Sequence, residues 1–191
     1  MILSIFIRDK EFHISTEAYG EVHKVTETRG MADKIPALFS EFLNKIEFNI
    51  IDTIVYSTGS ASFTTTRIVN SLVKGIKVAR PDIKFIGVSN FLTYIQVLKY
   101  TRPSGTIAIP TMRGDYYICE YVRGKIAKTY ISEELYKETI MDSAIGLDNV
   151  NLASLQIKAI HSELVDNNDK YIINNLETKY TYNPEYVHKE D

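Results

Sequence analysis

The chain predicts an α/β fold of two lobes, the second reduced, and three observations carry that reading. Short strand-like runs alternate with two amphipathic stretches of helical period, which is the pattern of helices laid on a sheet. The first thirty residues hold three such runs separated by turn residues. At 53–68 an apolar strand, a loop of small hydroxyl residues and a helix start follow one another.

Residues 2–7 are apolar except for Ser4 and read as the first strand; with no basic segment before them and no small-residue cleavage site after, they do not read as a signal peptide. Arg8-Asp9-Lys10 turns the chain into a second strand at 11–15, and 18–21 turns it again into a third at 22–25. Residues 31–46 then follow helical period. Met31, Ile35, Leu38, Phe42, Phe39, Ile46 and Leu43 cover an arc of roughly 140° on a 100° wheel. Pro36 lies within this stretch, so a kink or a later start is open. A strand at 52–56 leads to a helix at 65–79, whose Ile68, Ala79, Leu72, Ile76, Val69 and Val73 again span roughly 140°. Arg80-Pro81-Asp82 stops it, and 83–88 is a buried-looking strand. The resulting order, β-β-β-α-β-α-β, is that of a lobe of the actin-like ATPase (ribonuclease H-like) fold, and the first lobe is placed at 1–88.

Residues 89–191, the second lobe, repeat the plan less clearly. A helix is expected at 89–100, a strand at 106–109, and a hairpin from 115–123 to 126–131 across a Gly124-Lys125 turn. Ser132 is a plausible cap for a helix beginning at 132–135. A further helix is expected at 152–165, and 184–187 as a short last strand.

Composition narrows the function. The chain has 191 residues, 45% hydrophobic and 24% charged, which suffices for one good core or two small ones. Its 22 basic and 24 acidic residues give a net charge of −2, with no pull toward nucleic acid. No apolar run approaches the roughly 20 residues that span a bilayer. The lone Cys119 has no internal disulfide partner, which fits a reducing cytoplasm, and its strand-like surroundings, 116–121, mark it as a core thiol. The four histidines share no metal-ligand spacing. His13 and His23 could face each other across the opening meander, but no third or fourth ligand is placed near them, so no metal is expected.

Two features remain as candidate sites. The loop Ser57-Thr58-Gly59-Ser60-Ala61-Ser62-Phe63-Thr64 delivers the chain to a helix N-terminus, where free N–H groups could hold an anion. Ser62 or Thr64 serves there as a cap rather than a nucleophile, because no His–Asp partner is placed for it. Arg67, one turn in, reads either as a ligand for phosphate or a partner carboxylate, or as a solvated first-turn residue. The second feature is the width of the two helical arcs. A helix resting on one sheet needs about 100° of apolar surface, and the excess marks Met31, Ile35, Leu38, Phe42, Ile68, Val69 and Leu72 as an association surface.

Residues 59–69 also resemble the "GPGSFTGLRIG" signature of the TsaB (YeaZ) family, with Gly59, Ser62, Phe63, Thr64, Arg67 and Ile68 matching. Pro36 is kept from the family's "HSExLLP". Gly87-Val88-Ser89 matches the start of "GVSSLEAL", residues 108–117 follow "AIDARMGEVY", and 184–188 resemble the terminal "PxYLR". The resemblance implies the actin-like fold and a non-catalytic role in making threonylcarbamoyladenosine in tRNA. The family's catalytic relative TsaD transfers the threonylcarbamoyl group, and the small ATPase TsaE resets the complex. TsaB-like proteins pair with TsaD through helices equivalent to the two described above, and form homodimers through them when alone. Partners implied are therefore homologues of TsaD and TsaE, with tRNA contacted only indirectly.

The departures bear on chemistry. Phe6 stands where the family's "ILAIDTSTEA" has Asp, Pro110 replaces an acid, and Ser60, Ala61, Thr65 and Val69 stand where the signature has Pro and three glycines. Phe6 can hold no metal, and each added Cβ restricts close approach of backbone to phosphate. No catalytic residue and no cofactor is expected, a nucleotide being conceivable only at an interface shared with TsaD. The competing expectations are an autonomous actin-like phosphotransferase or glycoprotease-like enzyme, and a stand-alone homodimer with another binding role.

Overall fold

A computed structural model describes residues 1–8, 11–16, 22–26, 31–58, 63–111, 113–147 and 150–166. Two mixed sheets form its frame. The first has the order β3-β2-β1-β4-β5, from β1 (Ile2–Arg8), β2 (Glu11–Thr16), β3 (Val22–Thr26), β4 (Thr53–Thr58) and β5 (Lys84–Ser89). β1, β2 and β3 pair antiparallel, Ile5 opposite Ile14 and Ile14 opposite His23. β4 and β5 extend the sheet in parallel from β1. Joining parallel strands requires crossovers, supplied by α1 (Met31–Leu43) and α2 (Phe63–Ala79).

The side-chain period of two divides this sheet between two cores. Leu3, Ile5 and Ile7 of β1 with Phe12 and Ile14 of β2 face α1 and α2, and pack with Ile35, Phe39, Phe42, Val69, Val73 and Ile76. The intervening residues Ser4, Phe6 and Arg8 of β1, and His13 and Ser15 of β2, are buried too. Their face is covered by α3 (Asn90–Leu98) and α4 (Leu152–Asp166), with Val55, Val88, Leu92 and Ala159 packed together and Ser4 donating to Gln156 Oε1 at 2.5 Å. A strand buried on both faces reads as a near-continuous apolar run, which is why 2–7 stood out in the sequence.

α1 contains Pro36 rather than starting at it. The ring leaves one turn of the ladder without its N–H donor, and the apolar face that Ile35, Phe39 and Phe42 bury holds the helix in place. It ends at Leu43, not 46, because Lys45 donates to the Phe42 carbonyl at 2.9 Å and tightens the last turn.

The second sheet has the order β8-β7-β6-β9, from β6 (Gly105–Pro110), β7 (Tyr116–Val122), β8 (Lys125–Ser132) and β9 (Ile140–Met141), with β9 parallel to β6. The hairpin turn is Arg123-Gly124, not Gly124-Lys125: Lys125 already pairs with Val122, and both turn residues have positive φ, 52° and 77°. Two such residues make the turn whose twist suits a hairpin, and Gly124 adopts it without strain. The helix expected at 132–135 is absent. Ser132 Oγ accepts the Glu134 N–H at 3.1 Å, closing a tight turn, and Leu135 and Tyr136 are exposed, so no apolar face exists to hold a helix. The chain instead runs into β9. The expected strand at 184–187 lies outside the described residues.

The two sheets meet through Phe6, which packs with Tyr94 and Ile95 of α3, Ile107 and Ile109 of β6, and Cys119 of β7. No helix among the described residues is long and apolar enough to cross a membrane.

Candidate partner groove and lobe junction

α1 and α2 lie side by side on the first sheet, and their outer faces do not close on each other. Between them is a groove of about 760 Å³, lined largely by apolar side chains that include Phe39, Leu43, Ile68, Leu72 and Ile76. Gly75 opens it further: a Cβ there would meet nothing within 4 Å. Polar atoms are few on its walls, and Arg67, exposed at the α2 end, is the charged residue on its rim. Such a surface is shaped for an apolar side chain or helix ridge with an acidic neighbour.

The expected interface residues divide between groove and core. Ile68 and Leu72 are half-buried and line the groove. Ile35 also reaches it but is fully buried, with Phe42 and Val69 at 4% and 2% exposure beneath the helices. Leu38 is half-buried on α1. Met31 opens α1 and Thr64 lies in the first turn of α2, with side chains outside the described residues; Ser62 lies outside them altogether. Phe48, Ser71 and Gly75 line the groove but were not anticipated. The i, i+4 row Ile68, Leu72, Ile76 carries the signal for them, since it runs past small residues at 71, 75 and 79.

The other place where chemistry could occur is the crevice beyond the carboxyl ends of β1, β4 and β5, the usual ligand position in a parallel sheet. These strands end at Arg8, Thr58 and Ser89. Phe6 is wholly buried just below, edge-on to His13 (ring centroids 5.9 Å, 67°) and to Tyr94 (5.9 Å, 84°). It is therefore a core side chain tying the two sheets together. Ser57 Oγ accepts the Ile7 N–H at 3.1 Å, and Asn90 Nδ2 donates to the Ile7 carbonyl at 3.0 Å. Arg8 donates to Glu11 and to two backbone carbonyls of the turn after β9. Burial raises the Tyr94 hydroxyl well above its ordinary pKa, with the neighbouring Asp142 carboxylate adding to the effect.

The remaining candidates act structurally. His13 is opposite Lys24 and His23 opposite Ile14 in the strand register, so the two histidines are not paired across the meander. No group of three metal-ligating side chains occurs among the described residues. Cys119 is wholly buried, and burial with the nearby Glu120 pushes its thiol up to about 12, the reverse of an activated nucleophile. Pro110 is exposed at the end of β6 and pairs with Tyr116.

No family model and no curated protein matches the chain. Solved structures do. One is YeaZ from Pseudomonas aeruginosa, with a TM-score of 0.60 over 91% of this chain and 96% of that one, at 10% identity. Another is a protein with similarity to peptidase YEAZ from Pseudomonas aeruginosa, with a TM-score of 0.63 over 91% of this chain and 95% of that one, at 13% identity. The likeness runs nearly end to end in both, and it fixes the architecture: this chain has the actin-like α/β fold of YeaZ.

Proposed function

We propose that the protein is a non-catalytic scaffold subunit that supports threonylcarbamoyl transfer to tRNA, binding a TsaD homologue through the α1–α2 groove. The groove is the observation that carries this reading: about 760 Å³ of mostly apolar surface between two helices of a YeaZ-like fold, with Arg67 at its rim. Apolar surface of this kind gains by being covered. The same groove serves a homodimer when the larger partner is missing, and a TsaE homologue joins once the heterodimer exists. Contact with tRNA is indirect, in keeping with the net charge of −2. Phe6, wholly buried where a metal-positioning acid would have to stand, supports an accessory rather than an enzymatic role. The protein acts in the cytoplasm, where the complex it supports modifies tRNA.

The test is co-purification of the full chain with the TsaD homologue from the same cell, with tRNA modification read in cells lacking this protein. A complex that forms and is lost on Leu72→Asp supports the proposal. Failure of the two chains to associate at micromolar concentration, or unaltered threonylcarbamoyladenosine in the depleted cell, overturns it.

A further inference from the structure

The junction crevice holds a feature that the partner groove does not explain. Arg8 ends β1, is 9% exposed, and uses its guanidinium as a bridge between the two sheets. Its Nε and Nη2 donate to Glu11 Oε2 at 3.1 and 2.7 Å, which anchors the fork on the first sheet. Its Nη1 donates to the carbonyls of Asp142 and Ile145, at 3.2 and 2.6 Å, in the turn that follows β9 of the second sheet. Four of the five N–H donors of a guanidinium are thus engaged by this chain's own oxygens. Glu11 is steadied in turn by His13 Nε2 at 3.1 Å, and the Tyr94 hydroxyl lies 3.5 Å from Asp142 Oδ2.

We propose that Arg8 is a latch, pinning the 142–145 turn to the carboxyl end of β1 and holding the crevice between the sheets shut. The planar fork is what makes this possible. A guanidinium reaches a carboxylate on one side and two carbonyls on the other in a single plane, whereas an ammonium of equal charge lacks that span. The consequence is a junction that does not open and close around a ligand: a nucleotide phosphate entering from the strand ends meets an arginine whose donors are already committed. The latch lies on the opposite face of the first sheet from the α1–α2 groove, so its test is independent of partner binding.

Arg8→Lys separates latch from charge. Hydrogen exchange followed by mass spectrometry on the full chain should show peptide 140–147 exchanging at least about tenfold faster in Arg8→Lys than in the wild type, with α2 unchanged. Millimolar Mg-ATP should leave exchange of the wild-type junction as it was. If Arg8→Lys exchanges like the wild type at 140–147, Arg8 acts through its charge alone and the latch is refuted. Slower exchange of 140–147 on adding Mg-ATP also refutes it, because the crevice then opens to nucleotide. Should Arg8→Lys fail to fold, Glu11→Ala, which removes the carboxylate anchoring the fork, takes its place: faster exchange of 140–147 supports the latch, and exchange like the wild type overturns it.

Discussion

Gly75 lies in the interior of α2, exposed along the groove, with nothing within 4 Å of where a Cβ would stand. Glycine in a helix interior costs about 1 kcal/mol relative to alanine, and here no neighbour opposes the added methyl. Gly75→Ala should therefore stabilise the chain by about 1 kcal/mol, a rise in melting temperature of roughly 2–4 °C for a protein of this size. Gly75→Leu keeps most of that propensity gain while placing a four-carbon side chain in the groove of about 760 Å³. It should melt no lower than the wild type, yet weaken association about tenfold or more by occupying space a partner needs. The assay pairs thermal melting with sedimentation velocity, alone and with the TsaD homologue. A lower melting temperature for Gly75→Ala would mean that the helix or the free space has been misread. Unchanged affinity for Gly75→Leu would place the contact elsewhere.

Leu72→Asp and Ile68→Asp put a charge into the groove walls and should each cost at least about 2 kcal/mol of association, read by the same sedimentation, with far smaller effects on melting. Cys119 should remain unmodified by iodoacetamide in the native protein at pH 8 and react promptly in urea, since its thiol is pushed up to about 12; modification at equal rates in both would contradict its burial. Tyr130 donates to Glu120 at 2.8 Å, which raises its hydroxyl to about 12, above the unfolded value near 10. A raised folded pKa stabilises below the unfolded value and is lost as pH climbs from 10 through 12, so Tyr130→Phe should flatten the alkaline arm of the stability profile. Phe6→Asp, which restores an acid at the strand end, should lower unfolding free energy by about 3 kcal/mol or more in a urea titration rather than create a Mg-nucleotide site.

What the sequence revealed and what it hid follow from the range of the interactions. β1, β2 and β4 were legible because short runs rich in apolar and β-branched residues, bounded by turn residues, act within the strand itself. The false helix at 132 came from a local signal, Ser132 before two glutamates, that the same serine satisfies by closing a turn. Capping chemistry stops or starts a helix only when an apolar face follows, and Leu135 and Tyr136 stay exposed. The groove was half legible. A wide apolar arc shows that a helix has more oily surface than one sheet consumes, but it does not say which edge points inward. Val69 therefore stood beside Leu72 and Ile68 on the wheel of α2, although Val69 is core and the other two line the groove half-buried. That division makes Val69→Asp a probe of folding and Leu72→Asp a probe of association. Arg8 read as a turn residue: Glu11 is a partner only three positions on, but the carbonyls that make it a bridge lie 134 and 137 positions away.

The face of the first sheet turned away from the groove carries the seam between the two sheets. The chain ties its two sheets together internally, with Phe6 packed edge-on to Tyr94 and Arg8 bridging to the 142–145 turn. Phe6, wholly buried, adds apolar area to that seam, where a charge would be costly to bury without a cation. Rigidity at that seam has a use on the far side of the sheet. α1 and α2 rest on the same strands that Phe6 and Arg8 clamp, so a stiff sheet presents the groove in one geometry, and the partner proposed for it would lose less in ordering it.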